Sequence, residues 1–384
     1  MHESFSWIAI LCLLGAAQGV FLSVSLFSSK AGNVIANRYL AALTLLFTAS
    51  LLNAFLNLTG LNHDYVELSI ALRPKAYWYG VLIYFYVREL TSPIHVTIKG
   101  GQWCHFAPAA LHVITAWSLF FLSSEQQSAT LFNKDNSLLS LALGPISLTL
   151  SILHMTTYLA LSFRLLRRHR QRIKQSYSSI EAISLNWLTY LLVGIFIIYS
   201  IWLVNVIITH FYEHGISLTN VLTISVVMLI YIMGYLGLRQ VEVYSFELQN
   251  PDANSHVEQT EKYKSSPLTD SISLELIGQL KQLMDSKQPY LNNQLSLTQL
   301  AEQLDVAPHY LSQAINEQLQ QNFFDFINHY RLEEAKRRLA AVECKKDSIL
   351  TIAMDSGFNS KSSFYKAFKK ESDLTPSQYR QQAH

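Results

Sequence analysis

The chain has 384 residues, of which half are hydrophobic and only 15% are charged, against roughly 25% charged in an average soluble domain. The deficit is uneven: residues 1–240 carry long apolar runs, while residues 241–384 read like an ordinary cytosolic sequence, so the formal net charge of +2 averages two unlike halves. Three distant cysteines, Cys12, Cys104 and Cys344, have neither CxxC nor metal-ligand spacing, which excludes a disulfide framework and a cysteine-built metal site.

The first apolar run, about 5–27, lacks a basic stretch before it and is longer than a secretory core. It reads as a retained membrane helix and not as a cleaved signal. A bilayer core of about 30 Å takes about 20 apolar residues in helical form, because hydrocarbon offers backbone groups no partners. Seven segments meet this with varying strength, near 5–27, 39–60, 76–91, 103–122, 138–163, 187–209 and 217–238. The third is the weakest, since Arg73-Pro74-Lys75 stands at its start.

Orientation follows from basic residues in the loops. The loop after the fifth segment holds Arg164, Arg167, Arg168, Arg170, Arg172 and Lys174 and is expected to stay in the cytoplasm. Lys30, Arg38, Arg88 and Lys99 fall on the same side, and Arg73, Lys75 and Lys134 opposite, a ratio of ten to three. Seven crossings then place the N-terminus outside and residues 239–384 inside. Trp7, Trp78, Trp103 and Trp187 lie near segment ends, as interfacial anchors do. Several polar residues fall within the spans: Gln18, Asn53, Asn57, His112, His154 and Asn205. They read either as interhelical hydrogen bonding or as the lining of a ligand cavity, with His112, His154 and Asn205 the candidates for an unknown signal ligand.

From 241 to 270 the chain turns polar, with Asn250-Pro251-Asp252 and Ser265-Ser266-Pro267. No helical stripe persists, so this stretch is expected to be a tether with some local helix.

Beyond it, Leu274, Ile277, Leu280 and Leu283-Met284 describe an amphipathic helix. Ser296 and Gln299 form the signature of a capping box ahead of Leu297, Leu300, Ala301 and Leu304. A break at Asp305-Val306-Ala307 leads to Pro308, suited to the first turn of a new helix carrying Leu311 and Ile315 inward. A longer helix over about 323–341 follows, with Phe323, Ile327, Leu332, Ala335 and Leu339 available for burial. The pattern then repeats: Ser348 caps a helix with Ile349, Ile352 and Ala353, Gly357 supplies a positive-φ turn, and Ser360 begins a helix with Phe364 and Phe368 inward. Two such helix-turn-helix units joined by one helix suit two successive major grooves.

Residues 275–381 resemble the AraC/XylS-type DNA-binding domain, most strongly in FFDFINHYRLEEAKRRL (323–339) and ILTIAMDSGFNSKSSFYKAFKKESDLTPSQYR (349–380). The first part of the chain resembles, more loosely, the multi-helix sensor halves attached to this domain in some bacterial regulators, through LNWL (185–188) and YLGLRQ (235–240). Gln320 and Asp373 depart from the family pattern, which has glycine at both positions. The first turn must therefore bend without a positive φ or bear strain, and aspartate tolerates the left-handed region better than most residues.

The resemblance implies an all-α architecture: a seven-helix transmembrane sensor bundle (1–240), a polar linker (241–270) and a double helix-turn-helix, homeodomain-like DNA-binding domain (271–384). It implies double-stranded DNA as a partner, read from helices near 308–318 and 360–371. His309, Tyr310, Gln313 and Asn316 are the candidates in the first. Asn359, Lys361, Ser362, Ser363 and Lys366 are those in the second, with Lys369 and Lys370 facing phosphate or solvent. Residues 271–330 carry a net −4 and residues 331–384 a net +4, so attraction to phosphate is expected from the second unit. The reading is a transcription regulator of the bacterial cytoplasmic membrane: multi-pass, in contact with the lipid bilayer, coupling a signal to gene expression as a one-component system. A homodimer is compatible with it, and no enzymatic activity, cofactor or metal is expected. The rivals are a sensor kinase, which would need a phosphoacceptor helix and a glycine-rich lid after Gln240, and a membrane receptor, transporter or scaffold whose helix-turn-helix domain binds protein.

Overall fold

Where the apolar runs can close their own backbone hydrogen bonds, they form helices. The computed structural model describes residues 7–72, 76–92, 100–123, 126–127, 138–181, 183–211, 218–249 and 269–384. The chain divides into two compact units, one of Met1–Arg167 with Leu185–Tyr244 and the other of Arg168–Ser184 with Ser245–His384. The architecture is all-α; among the described residues the β contribution is an isolated bridge between Tyr177 and Ser296.

In the first unit, α1 (Trp7–Ser28), α2 (Val34–Thr59), α3 (Val66–Leu72), α4 (Ala76–Thr91) and α5 (Ala107–Trp117) precede the long α6 (Leu138–Ser176), α7 (Asn186–Phe211) and α8 (Thr219–Gln249). Five stretches among the described residues are long and apolar enough to cross a membrane: Trp7–Ser28, Val34–Thr59, Pro145–Ser176, Asn186–Thr209 and Thr219–Leu236. Two of the seven expected spans, 76–91 and 103–122, are not among these stretches. The 16 residues of α4 rise about 24 Å. The 103–122 segment breaks into 3₁₀ turns at Gly100–Phe106 and Ser118–Phe121 around the 11-residue α5. Pro108 sits in the first turn of α5, where its missing N–H and ring prevent an α-ladder from running in from the preceding residues.

The core of this unit gathers Leu22, Leu40, Leu43, Phe47, Tyr86, Leu159, Leu188, Leu192 and Ile230. Small residues let the helices close: a Cβ on Gly19 would collide with the Thr48 hydroxyl of α2. Such glycine-mediated approach is how apolar helices gain dispersion contact where no hydrophobic drive separates them from lipid. Large apolar side chains also point outward, among them Phe21, Phe27, Leu153, Phe196 and Tyr235.

The polar sequence after residue 240 begins with the local helix expected of it. Helix α8 continues to Gln249, so the first part of the expected tether is helical; 250–268 lies outside the described residues. The basic cluster expected in a loop is instead the C-terminal part of α6, which runs to Ser176, because arginine, lysine and glutamine are good helix formers.

In the second unit, α9 (Asp270–Lys287) packs on a helix-turn-helix pair, α10 (Leu297–Gln303) and α11 (Pro308–Leu319). The connecting helix α12 (Phe323–Ala340) leads to a second pair, α13 (Ile349–Asp355) and α14 (Lys361–Ser372), closed by α15 (Pro376–Ala383). Each pair has its own core. Leu276, Leu280, Met284, Leu300, Leu311, Ile315, Phe323 and Ile327 form the first; Leu332, Leu339, Ile352, Phe358, Phe364 and Phe368 form the second. Helix α12 thus serves both, its first half in one core and its second half in the other.

Between the cores, Arg331 of α12 is 1% exposed. Its Nε donates to the Tyr290 carbonyl at 2.8 Å, and its terminal nitrogens donate to the Asn292 carbonyl at 2.8 Å and to the Ser178 carbonyl and hydroxyl at 2.9 Å each. Burial pulls the guanidinium down to about 10, against a raising influence from Glu181, so it remains charged at neutral pH. Glycine at 357, with φ +90°, lets the second pair reach this point: a Cβ there would strike the Tyr290 carbonyl and approach Arg331 Nε to 3.0 Å. On the next turn of α12, Glu334 accepts from Arg337 at 2.7 and 2.8 Å and from Arg338 at 2.6 Å. The Arg337 hydrogen bond leads the causes that hold its carboxyl below the usual range.

Two outcomes follow. Gly357→Ala combines a positive φ with a backbone collision and should destabilise the second unit by about 3 kcal/mol, read by pulse proteolysis of the full chain in lipid nanodiscs. A depressed carboxylate stabilises the fold above its unfolded value of about 4.3 and loses that contribution as pH falls through the folded one. Glu334→Gln should therefore be less stable than the parent at pH 7, with the gap closing on acidification; a gap that persists in acid would remove the ionic cause.

Candidate nucleic-acid interface

Local sequence builds each helix-turn-helix. Ser296 and Gln299 form the full capping box, Gln299 N–H donating to Ser296 Oγ at 3.2 Å and Ser296 N–H to Gln299 Oε1 at 3.1 Å. The turn passes through Asp305 at φ +55°, and Pro308 opens α11. With Leu311, Ala314 and Ile315 buried, α11 turns Gln313, Asn316 and Glu317 toward its other face. His309 and Tyr310 contact each other, with ring centroids 3.9 Å apart. Gln313 Nε2 donates to Glu317 at 3.0 Å, and Asn316 Nδ2 to Ser312 Oγ at 3.4 Å. His309, Tyr310, Gln313 and Asn316 are all half-buried.

In the second pair, Ser360 caps α14 and Phe364 and Phe368 face inward, in edge-to-face contact with each other and with Phe358 and Tyr379. Ser362, Lys366 and Lys369 share an exposed face at i, i+4 and i+7, and Lys361 Nζ lies 5.5 Å from the Tyr365 ring centroid. Ser363 is engaged locally: its N–H donates to Ser360 Oγ at 3.2 Å and its hydroxyl to the Ser360 carbonyl at 2.9 Å. It belongs to the helix cap and not to the free face. Asn359 is exposed, yet its Nδ2 donates to Ser179 Oγ at 2.6 Å and to the Asn293 carbonyl at 3.2 Å.

Glu371 of α14 is tied to α12 by His329 at 3.2 Å and Lys336 at 3.4 Å, and Lys336 also pairs with Glu333 at 2.7 Å. This cluster fixes the exit of α14 on the connecting helix. Gln320 and Asp373 end α11 and α14 in the left-handed region, at φ +53° and +55°. Gln320 thus takes the glycine conformation that its side chain disfavours, and its Nε2 donates back to the Glu317 carbonyl at 3.0 Å.

Sequence reasoning passed over Arg331, Ser178 and Ser179. For Arg331 a signal was available: it stands at i+4 from Ile327 and four before Ala335, on the apolar stripe of its own helix. A charged residue there is buried and partnered. For the two serines no local signal points to these contacts, since Leu295, Arg331 and Asn359 lie more than a hundred residues away.

Within the first unit, two of the three candidate ligand residues meet. Tyr77 contacts His112 and His154, with ring centroids 5.6 and 5.1 Å apart. His154 also lies 4.6 Å from the Tyr158 ring, and Tyr158 hydroxyl pairs with His105 Nδ1 at 2.7 Å. Both ring nitrogens of His154 are buried without a hydrogen-bond partner among the described residues. Asn205 is occupied differently: its Oδ1 accepts from the Leu218 N–H at 2.8 Å at the start of α8.

Against known proteins, the family model of a helix-turn-helix domain matches residues 300–382. An uncharacterized HTH-type transcriptional regulator of Staphylococcus aureus strain COL is 34% identical over 101 residues, 26% of this chain and 13% of that protein. The uncharacterized HTH-type transcriptional regulator YtdP of Bacillus subtilis is 28% identical over 120 residues, 30% of this chain and 15% of that protein. The aligned stretch thus spans less than a sixth of the curated relatives it matches. A solved structure of a protein of unknown function from Listeria innocua matches at 27% identity with TM-score 0.24, over 30% of this chain and 97% of that one; that score is too low to add to the fold. The C-terminal part of the chain carries an AraC-type helix-turn-helix domain.

Proposed function

We propose that the chain is a membrane-anchored, sequence-specific DNA-binding transcription regulator, in which α11 and α14 read major grooves. One observation carries it: α14 buries Phe364 and Phe368 while presenting Ser362, Lys366 and Lys369 on one exposed face. Buried aromatics give the helix a fixed seat, and lysines on the far side supply the phosphate attraction that dominates affinity. The half-buried amides of Gln313 and Asn316 on α11 suit adenine edges.

The membrane half of the reading rests on the five apolar helices and their outward Phe, Leu and Tyr side chains, a surface that water penalises and hydrocarbon accepts. Five and seven crossings are both odd, so either number leaves the termini on opposite faces. With the arginine-rich end of α6 held inside by the positive-inside rule, the helix-turn-helix domain lies in the cytoplasm, where DNA is. His112 and His154 around Tyr77 are the proposed region for sensing the signal.

Two measurements test this. Reporter fusions after Gln249 should report a cytoplasmic position and fusions at the N-terminus an external one; the reverse pattern ends the reading. The full chain in nanodiscs should select a duplex from a random pool. Lys366→Ala with Lys369→Ala should weaken binding to selected and unselected duplexes alike, flattening the slope of log K against log salt by about 2. An unchanged slope would place the phosphate contacts elsewhere, and no selectable duplex would favour a protein partner for the domain.

A further inference from the structure

The second unit contains a piece of the chain that sequence assigns to the membrane half. Residues 168–184, the C-terminal part of α6 (168–176) and most of its connection to α7, belong to it, and they form a built element. His169 Nε2 pairs with the Ile183 carbonyl at 3.0 Å, closing the segment on itself. Ile173, Ile180 and Ile183 are buried together, with Tyr177 and Phe324 against them, and Lys174 Nζ stands 5.1 Å from the Phe324 ring centroid.

The contacts of this strap reach both helix-turn-helix pairs and the helix between them. Tyr177 bridges Ser296, the N-cap of α10. Ser178 donates its N–H and hydroxyl to the Leu295 carbonyl at 3.2 and 2.6 Å. Ser178 then supplies two of the four acceptors around the buried guanidinium of Arg331. Ser179 accepts from Asn359 at 2.6 Å and donates to Glu181 at 2.5 Å. Asn359 stands just before the N-cap of α14, and both amide hydrogens are spent, on the strap and on Asn293. An asparagine reads adenine with that same amide N–H₂ beside its carbonyl.

We infer that residues 168–184 form a docking strap that competes with DNA for the domain: docked, it clamps both helix-turn-helix pairs through Arg331 and withholds Asn359; undocked, it frees them. The inference rests on the DNA-binding reading above and adds its regulation. Because the strap begins within α6 and ends just before α7, any rearrangement of those two helices moves its ends, which gives the sensor bundle a covalent route to the DNA-binding domain that does not pass through 250–268. The strap and duplex then bias one two-state element from opposite sides.

The test uses the full chain in lipid nanodiscs, with Cys12, Cys104 and Cys344 replaced by serine and with Ser179→Cys and Asn359→Cys introduced. The disulfide is expected to form in high yield, and excess selected duplex should suppress it. The oxidised protein should bind duplex about tenfold more weakly than the same sample after reduction. In the otherwise native chain, Ser178→Ala with Ser179→Ala, neither on the exposed face of α14, should bind more tightly than the parent. Absence of the disulfide overturns the docking. A disulfide that forms while oxidised and reduced samples bind alike, with the double alanine variant unchanged, overturns the regulation. If neither the parent nor any variant binds duplex, the proposed function fails, and disulfide yield still scores the docking by itself.

Discussion

A guanidinium buried at the junction of three segments organises the helix-turn-helix unit. Arg331 cannot shed its charge and cannot be left dry, since an unpaired buried ion costs several kcal/mol. Every group near it is arranged to meet that demand: the Tyr290 and Asn292 carbonyls from the loop before α10, and Ser178 from the strap. Gly357 has no side chain because one would displace the first of these carbonyls. A helix with a core at each end would otherwise allow its two pairs to rotate independently, and the directional bonds of arginine remove that freedom.

Outward-facing apolar surface sets the corresponding constraint on the first unit. Where water would demand polar faces, α7 presents apolar residues around most of its circumference, and it is the most apolar and least buried of the candidate spans among the described residues. Packing there relies on glycine contacts and on side chains bonding to backbone, as with Thr44 and Thr48 to the carbonyls four residues earlier in α2. Polar residues that looked like candidates from sequence divide accordingly. Asn205 completes the start of α8, whereas His154 remains without a hydrogen-bond partner among the described residues, inside an aromatic cluster.

Legibility followed the range of the interactions. Capping is local, so Ser296 with Gln299, Pro308, Ser348 and Ser360 announced four helix starts correctly. Heptad-like burial of Phe364 and Phe368 is likewise a near-neighbour property. The same reasoning read 103–122 as one continuous span, because hydropathy averages across a window in which Pro108 still breaks the ladder. It also ended α6 where apolar residues stop, although helix propensity carries α6 on to Ser176. Ser363, a candidate through the resemblance, donates its hydroxyl to the Ser360 carbonyl in the cap of α14.

The sequence by itself determined the all-helical class, the apolar and polar halves, the two helix-turn-helix pairs and the lysine-bearing face of the second, since each follows from periodicity, propensity or charge within a few turns. Only the tertiary structure decided that Arg331 is a buried hub, that Asn359 is already bonded, and that residues 168–184 leave the apolar half of the chain to join the C-terminal unit. Those outcomes depend on hydrogen bonds between residues up to 180 positions apart, whose geometry no local pattern encodes.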